Sequence, residues 1–229
     1  MSNSDSTDKI REKNREILGD SFGDFYSELS NQLYWLQFKW QEYVELYGTN
    51  PERIELLNEA APSFFHHLQD VLLDDILLHI SRLTDRSKSF GKENLTFAAL
   101  PGYIDGEMKI EIQLLVDQAI DSAAFAKDWR NRRLAHHDLK LALDGSAKPL
   151  LPLSRRTIKE TLAALHEVLN RISEIYFDTE LFQEVFDSGM GAEHLLYVLH
   201  DGVIADRARK KRIKTGEYLP EDLHKPPIL

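Results

Sequence analysis

Apolar side chains recurring at steps of three and four, over several long stretches, constrain this chain most. Leu29, Leu33, Leu36, Trp40, Tyr43 and Tyr47 follow that spacing, so Asp24 to Tyr47 reads as an amphipathic helix with one apolar face. Phe65, Leu68, Leu72, Ile76, His79 and Leu83 repeat it and place a second helix over Ser63 to Leu83. Ile112, Leu115, Ala119, Ala123 and Ala126 mark a third, running from near Gly106 toward His136, whose alanines let another helix approach closely. Ile158, Leu162, Leu165, Leu169, Ile172 and Tyr176 give a fourth, which Thr157 and Glu160 open as a capping box. Leu195, Leu199 and Val203 define a last helix from Ala192 to about Lys214.

The breaks between these stretches are equally legible. Gly48-Thr49-Asn50-Pro51 stops one helix and starts another, with Asn50 as N-cap and Pro51 at the first helical position. Pro62 breaks or kinks the chain. Asp85 to Gly91 reads as a polar loop, and Asn94 as the cap of a short helix ending before Pro101-Gly102. Asp144-Gly145-Ser146 and Pro149 to Pro152 form a turn-rich connection. A shorter amphipathic piece spans Leu181 to Phe186. The expected architecture is all-α, a bundle of four to five helices with short connectors. Residues 1–20 read as a flexible N-terminal segment, 21–214 as one helical domain and 215–229 as an irregular tail.

Composition narrows the function classes. A chain of 229 residues can bury a substantial core. It has no cysteine, which excludes disulfides and thiolate metal sites within it. No apolar run approaches the roughly 20 residues that cross a bilayer, so the expectation is a soluble cytoplasmic protein without membrane contact. A net charge of -10 argues against coating nucleic acid with the whole surface. A local basic cleft remains open, because the cations cluster. Arg130, Arg132 and Arg133 form one group, Arg155, Arg156 and Lys159 a second, and six of the eight residues from Arg207 to Lys214 a third. That last run reads as a solvated helix end or as an RNA contact, the former being the simpler. The aromatics Tyr34, Trp35, Phe38 and Trp40 read as core packing in preference to a base-stacking surface.

The stretch from Arg130 to His137 gathers three arginines, two histidines and an amide into eight positions. Arginine supplies a fixed planar fork suited to phosphate, and histidine exchanges a proton near neutral pH. Together they point to a phosphodiester. The order Arg130-Asn131, then four residues, then His136 with Asp138 close behind, resembles the Arg-polar…His signature of the HEPN superfamily. Its abortive-infection branch, the AbiU-type proteins, is the nearer resemblance. Ala135, His136 and Asp138 fall where that pattern wants them, and Arg132 stands at its lysine place. Leu83-Thr84-Asp85-Arg86 and Asn94-Leu95-Thr96-Phe97 extend the similarity, which runs from about Leu29 to Arg212.

That resemblance implies a HEPN-like helical fold and a metal-independent endoribonuclease, toxin-like or active in phage defence. It implies two protomers lining one cleft, RNA as substrate, no cofactor, and an antitoxin or defence-system partner. Arg130, Asn131 and His136 are the catalytic candidates, His137 and Asp138 support them, and Arg132 and Arg133 position RNA. The alternative is a non-catalytic module of the same fold that binds RNA, a nucleotide or a protein. Two points stay open. Six positions turn a straight helix by roughly 240°, so Arg130 faces with His137 and not with His136 unless the helix deforms, ends, or pairs across protomers. The pairs His66/Asp70 and Asp75/His79 have ligand spacing but lack a third ligand, and no metal is expected.

Overall fold

The computed structural model describes residues 3–135, 139, 143, 147–181 and 190–224. The chain forms helices α1 (Asn3–Leu18), α2 (Asp20–Tyr47), α3 (Pro51–Ala60), α4 (Pro62–Leu83), α5 (Gly106–Ser122), α6 (Ala124–Trp129), α7 (Arg155–Phe177) and α8 (Ala192–Thr215), the long ones after α1 coinciding with the apolar repeats at three and four. A minimal antiparallel hairpin, β1 (Lys88–Ser89) with β2 (Lys92–Glu93), precedes a 3-10 element at Phe97–Tyr103. The all-α reading holds at this level. Among the described residues, six helices reach sixteen residues or more, against four to five expected, and α1 makes the difference.

The lead-in expected to be flexible is helical because α2 gives it partners. Asp24 accepts from Arg11 at 2.6 Å and from Arg15 at 2.7 and 2.8 Å, and buried Asn14 donates to Ser27 Oγ at 2.8 Å. Gly23 permits this approach: a Cβ there would lie 2.6 Å from the Arg15 backbone.

The described residues fall into two compact units, one drawn from 1–40 and 73–185, the other from 41–72 and 186–229. In the first, α5 packs along α7. The α7 stripe is as expected, with Ile158, Leu162, Leu165, Leu169 and Ile172 buried. Each such side chain contributes about 1.5–3 kcal/mol over its exposed state. Ser154 caps α7, accepting from the Thr157 N–H at 3.1 Å while Thr157 Oγ1 accepts from the Ser154 N–H at 3.0 Å. The box thus lies three residues earlier than the Thr157/Glu160 reading. On α2, Leu29, Leu33 and Leu36 are buried, but Tyr34 and Trp35 are 45% and 48% exposed and stack edge-to-face 5.8 Å apart. Core packing was the wrong expectation for these two, which sit off the leucine line.

In the second unit, Leu46, Leu57, Phe65, Ala192 and Leu196 form the core, with Leu68, Leu72 and Leu199 against it. Asn50 caps α3 as expected, accepting from the Arg53 N–H at 3.0 Å. Glu42 caps α8, accepting from the Ala192 N–H at 2.7 Å. The buried line of α8 is Ala192, Leu196 and Val203 with Leu199 beside it, so Leu199 and Val203 lie as expected, while Leu195 is 40% exposed and Leu196 takes its place. No helix among the described residues is long and apolar enough to cross a membrane.

Candidate functional site

The segment carrying the basic motif belongs to the first unit and departs from a straight helix twice. The first departure is at Ser122–Ala123, where α5 ends. Ser122 Oγ donates to the Ala119 carbonyl at 2.7 Å, and the Ser122 carbonyl accepts from Thr161 Oγ1 of α7 at 3.0 Å. A hydroxyl bonding back within a helix bends it, and a carbonyl taken by another helix leaves the intrahelical ladder. The chain therefore re-enters as the short α6.

The second departure lies within the motif itself. Arg130–Leu134 forms one π turn, closed by the Ala135 N–H donating to the Arg130 carbonyl at 2.8 Å. Such turns are rare and recur at functional sites. Here an extended segment downstream holds it. Asp128 Oδ2 accepts from the Leu151 N–H at 2.9 Å, and Trp129 Nε1 donates to the Leu151 carbonyl at 3.0 Å. Arg132 donates to the carbonyls of Pro149, at 3.2 Å, and Lys148, and lies 3.6 Å from Asp128. The guanidinium of Arg133 lies over the Trp129 ring, 4.9 Å from its centroid.

Arg130 is fixed from two sides. Its Nε donates to Asn131 Oδ1 at 3.0 Å and its Nη1 to Asp85 Oδ2 at 3.0 Å, with both partners of the ion pair about one-quarter to one-third exposed. Partial burial pushes the Asp85 carboxyl up, but the Arg86 N–H and the Arg130 guanidinium outweigh it and hold the group below its ordinary value. A guanidinium has five N–H donors. The two bonds leave further donors on Arg130 for a phosphate.

The structure thus brings Arg130, Asn131 and Asp85 together and places Arg132 and Arg133 on intramolecular partners. His136, His137 and Asp138 lie outside the described residues, as does the amphipathic piece expected beyond Leu181. The helix expected to run from near Gly106 toward His136 is interrupted at Ala123 and at the π turn. Its buried members are Ile112, Val116, Ala119, Ala123 and Ala126, with Leu115 only half-buried.

Neither candidate ligand pair is assembled as a metal site. Asp75 meets Lys39 at 2.7 Å, and His79 Nε2 meets Gln32 Oε1 at 3.1 Å in a buried setting. Among the described residues no three His, Cys, Asp or Glu side chains cluster. The basic run on α8 is largely ion-paired: Arg207 with Glu59, Arg209 and Lys210 with Asp206, and Arg212 with Asp222. That arrangement fits the solvated helix end.

Sequence reasoning missed the hairpin. Asn94 does not cap a helix; its Nδ2 donates to the Arg86 carbonyl at 2.8 Å and to Ser89 Oγ, clipping the hairpin base. Thr96 precedes the 3-10 element, and Pro101 lies inside it instead of ending it. The available signal was Gly91 alone, since Phe90 is not a residue that a two-residue hairpin turn normally takes first.

The family model described as AbiU2, of the HEPN class, matches residues 19–194, more than half of the chain and the whole basic motif. No curated protein and no solved structure matches the chain significantly.

Proposed function

The chain belongs to the HEPN AbiU2 family, and from that premise we propose that it is a cytoplasmic, metal-independent endoribonuclease acting as a homodimer in phage defence. The family assignment supports a toxin-like, RNA-associated role. The observation that carries the finer reading is Arg130, held on the π turn by Asp85 and Asn131 with donors to spare. In this reading His136, or His137 in its place, takes the proton from a ribose 2′-hydroxyl. The 2′ oxygen attacks the adjacent phosphorus, and Arg130 stabilises the charge growing on the phosphorane oxygens. The 5′ oxygen leaves with a proton from an imidazole, giving a 2′,3′-cyclic phosphate. Asn131 orients Arg130, and Asp138 biases the imidazole tautomer. A two-fold dimer sets two copies of these groups around one cleft, and an antitoxin or defence partner restrains it.

Purified protein should run in light scattering at twice the 26.5 kDa chain mass and cut single-stranded RNA in excess EDTA. It should spare the matching DNA, and His136→Ala should lower the rate by about two to four orders of magnitude. Activity that vanishes in EDTA and returns with magnesium would rule this mechanism out. The second reading is a non-catalytic module of the same fold that binds RNA. RNA binding that survives Arg130→Ala and His136→Ala without any cleavage selects it.

A further inference from the structure

The β1–β2 hairpin ends in a two-residue turn whose first member is Phe90, with φ of 50°, followed by Gly91 with φ of 77°. Positive φ at both positions is the primed-turn geometry that suits a hairpin, and Asn or Asp normally fills the first of them. A bulky L-residue rarely adopts it. Here it is a phenylalanine whose ring is wholly solvent-exposed, at 106% of its reference area. Both the backbone and the ring are unfavourable in the isolated chain. The surroundings are cationic: Arg86, Lys88 and Lys92 flank the tip, and Lys88 remains 71% exposed although it pairs with Glu93 at 3.2 Å. An apolar ring among cations fits a polyanion that also offers flat faces.

We propose that this hairpin is a nucleobase-stacking finger for single-stranded RNA, with Phe90 on a base and Lys88 and Lys92 on the adjoining phosphates. Unstacked bases in single strands lie on aromatic side chains, and such contacts tolerate any base. The finger is wired to the motif. Asp85, which holds Arg130, immediately precedes Arg86, and Asn94 clips Arg86 and Ser87 at the hairpin base by bonds of 2.8 Å each. Five residues from Asp85 to Phe90 span at most about 18 Å of backbone, so one single strand can reach both the Phe90 ring and the Arg130 guanidinium. At the root of the finger a cavity of about 560 Å³ opens between Ser87, Lys88, Asn94 and the stacked rings of Phe25 and Tyr103, whose centroids are 4.7 Å apart. It has room for a neighbouring base. The finger shares with the ribonuclease reading only the assumption that RNA is the ligand.

The test is binding of a short fluorescent 2′-O-methyl single-stranded RNA, which lacks the attacking hydroxyl and so reports binding apart from cleavage. Phe90→Asn removes the ring while supplying a residue the turn prefers, so the hairpin persists. Affinity should fall about 5- to 150-fold, and Phe90→Trp should retain it. Lys88→Gln and Lys92→Gln should each flatten the slope of log affinity against log salt by about 0.7. Phe90→Asn binding as the wild type does, or Phe90→Trp as weak as Phe90→Asn, overturns the proposal. So does Phe90→Asn that alters oligomer mass with affinity unchanged, which would assign the tip to a protein contact. Wild-type protein that binds the probe by this pattern but never cuts unmodified RNA refutes the ribonuclease reading and leaves the finger standing.

Discussion

Arg132→Ala separates two roles that one residue type can fill. Its side chain is about one-fifth exposed and donates to the carbonyls of Lys148 and Pro149, so it pins the extended segment against the π turn. Hydrogen bonds from charged donors contribute about 1.5–3 kcal/mol each when buried. These sit at the surface, so about 1 kcal/mol each is the appropriate scale. Asp128 still accepts from the Leu151 N–H and is not orphaned by the change. The expected loss is therefore about 2 kcal/mol, which lowers Tm by roughly 4–8 °C for a chain of this size. Amide exchange should speed up over 147–151, and Arg132→Lys should rescue only part of the loss, since an ammonium cannot fork. Unchanged Tm and exchange, together with weakened RNA binding, would refute the clip and return Arg132 to the RNA-positioning role that its sequence position suggests.

Asp85→Asn releases Arg130 without removing bulk; cleavage should fall by about 10- to 100-fold, while Tm moves by no more than about 4 °C. A rate equal to wild type would show that the pair does not position the arginine. Gly23→Ala drives a Cβ into the Arg15 backbone, so α1 should lift from α2 and become cleavable by protease, and protection equal to wild type refutes the packing. Burial, with Lys39 nearby, lowers the His79 pKa to about 4. The unfolded chain therefore binds a proton first, and this part of the stability is complete above the unfolded value near 6.5 and is lost as pH falls toward about 4. The loss amounts to about 3 kcal/mol; His79→Gln, which keeps a donor for Gln32, should flatten that portion of the stability profile, and an identical slope would refute the assignment.

What could be read from the chain follows a physical divide. Asn50-Pro51 and the α7 stripe were legible because capping and helical periodicity act within a few residues. Ser154 and Thr157 each head a plausible capping tetrad, and only packing decides between them. The break at Ser122 depends on Thr161 of another helix, 39 residues on. The partners of Arg132 are backbone carbonyls sixteen and seventeen residues away, which leave no residue-type signature. Strands of two residues cannot show alternation, so the hairpin at Phe90 was absorbed into a polar loop. Tyr34 and Trp35 were misplaced for a different reason. Aromatic identity suggests burial, but the helix face is set by Leu29, Leu33 and Leu36.

The π turn is a departure that helical periodicity does not announce: the Ala135 N–H bonds to the Arg130 carbonyl five residues back, in place of the α pairing. A π turn has poorer hydrogen-bond geometry than the α-helix and persists where its surroundings fix it. Asp128, Trp129 and Arg132 do so together, all grasping the segment from Lys148 to Leu151. The clip and the distorted turn are thus a single structural unit. Loosening that segment should move Arg130 even though no substitution touches it.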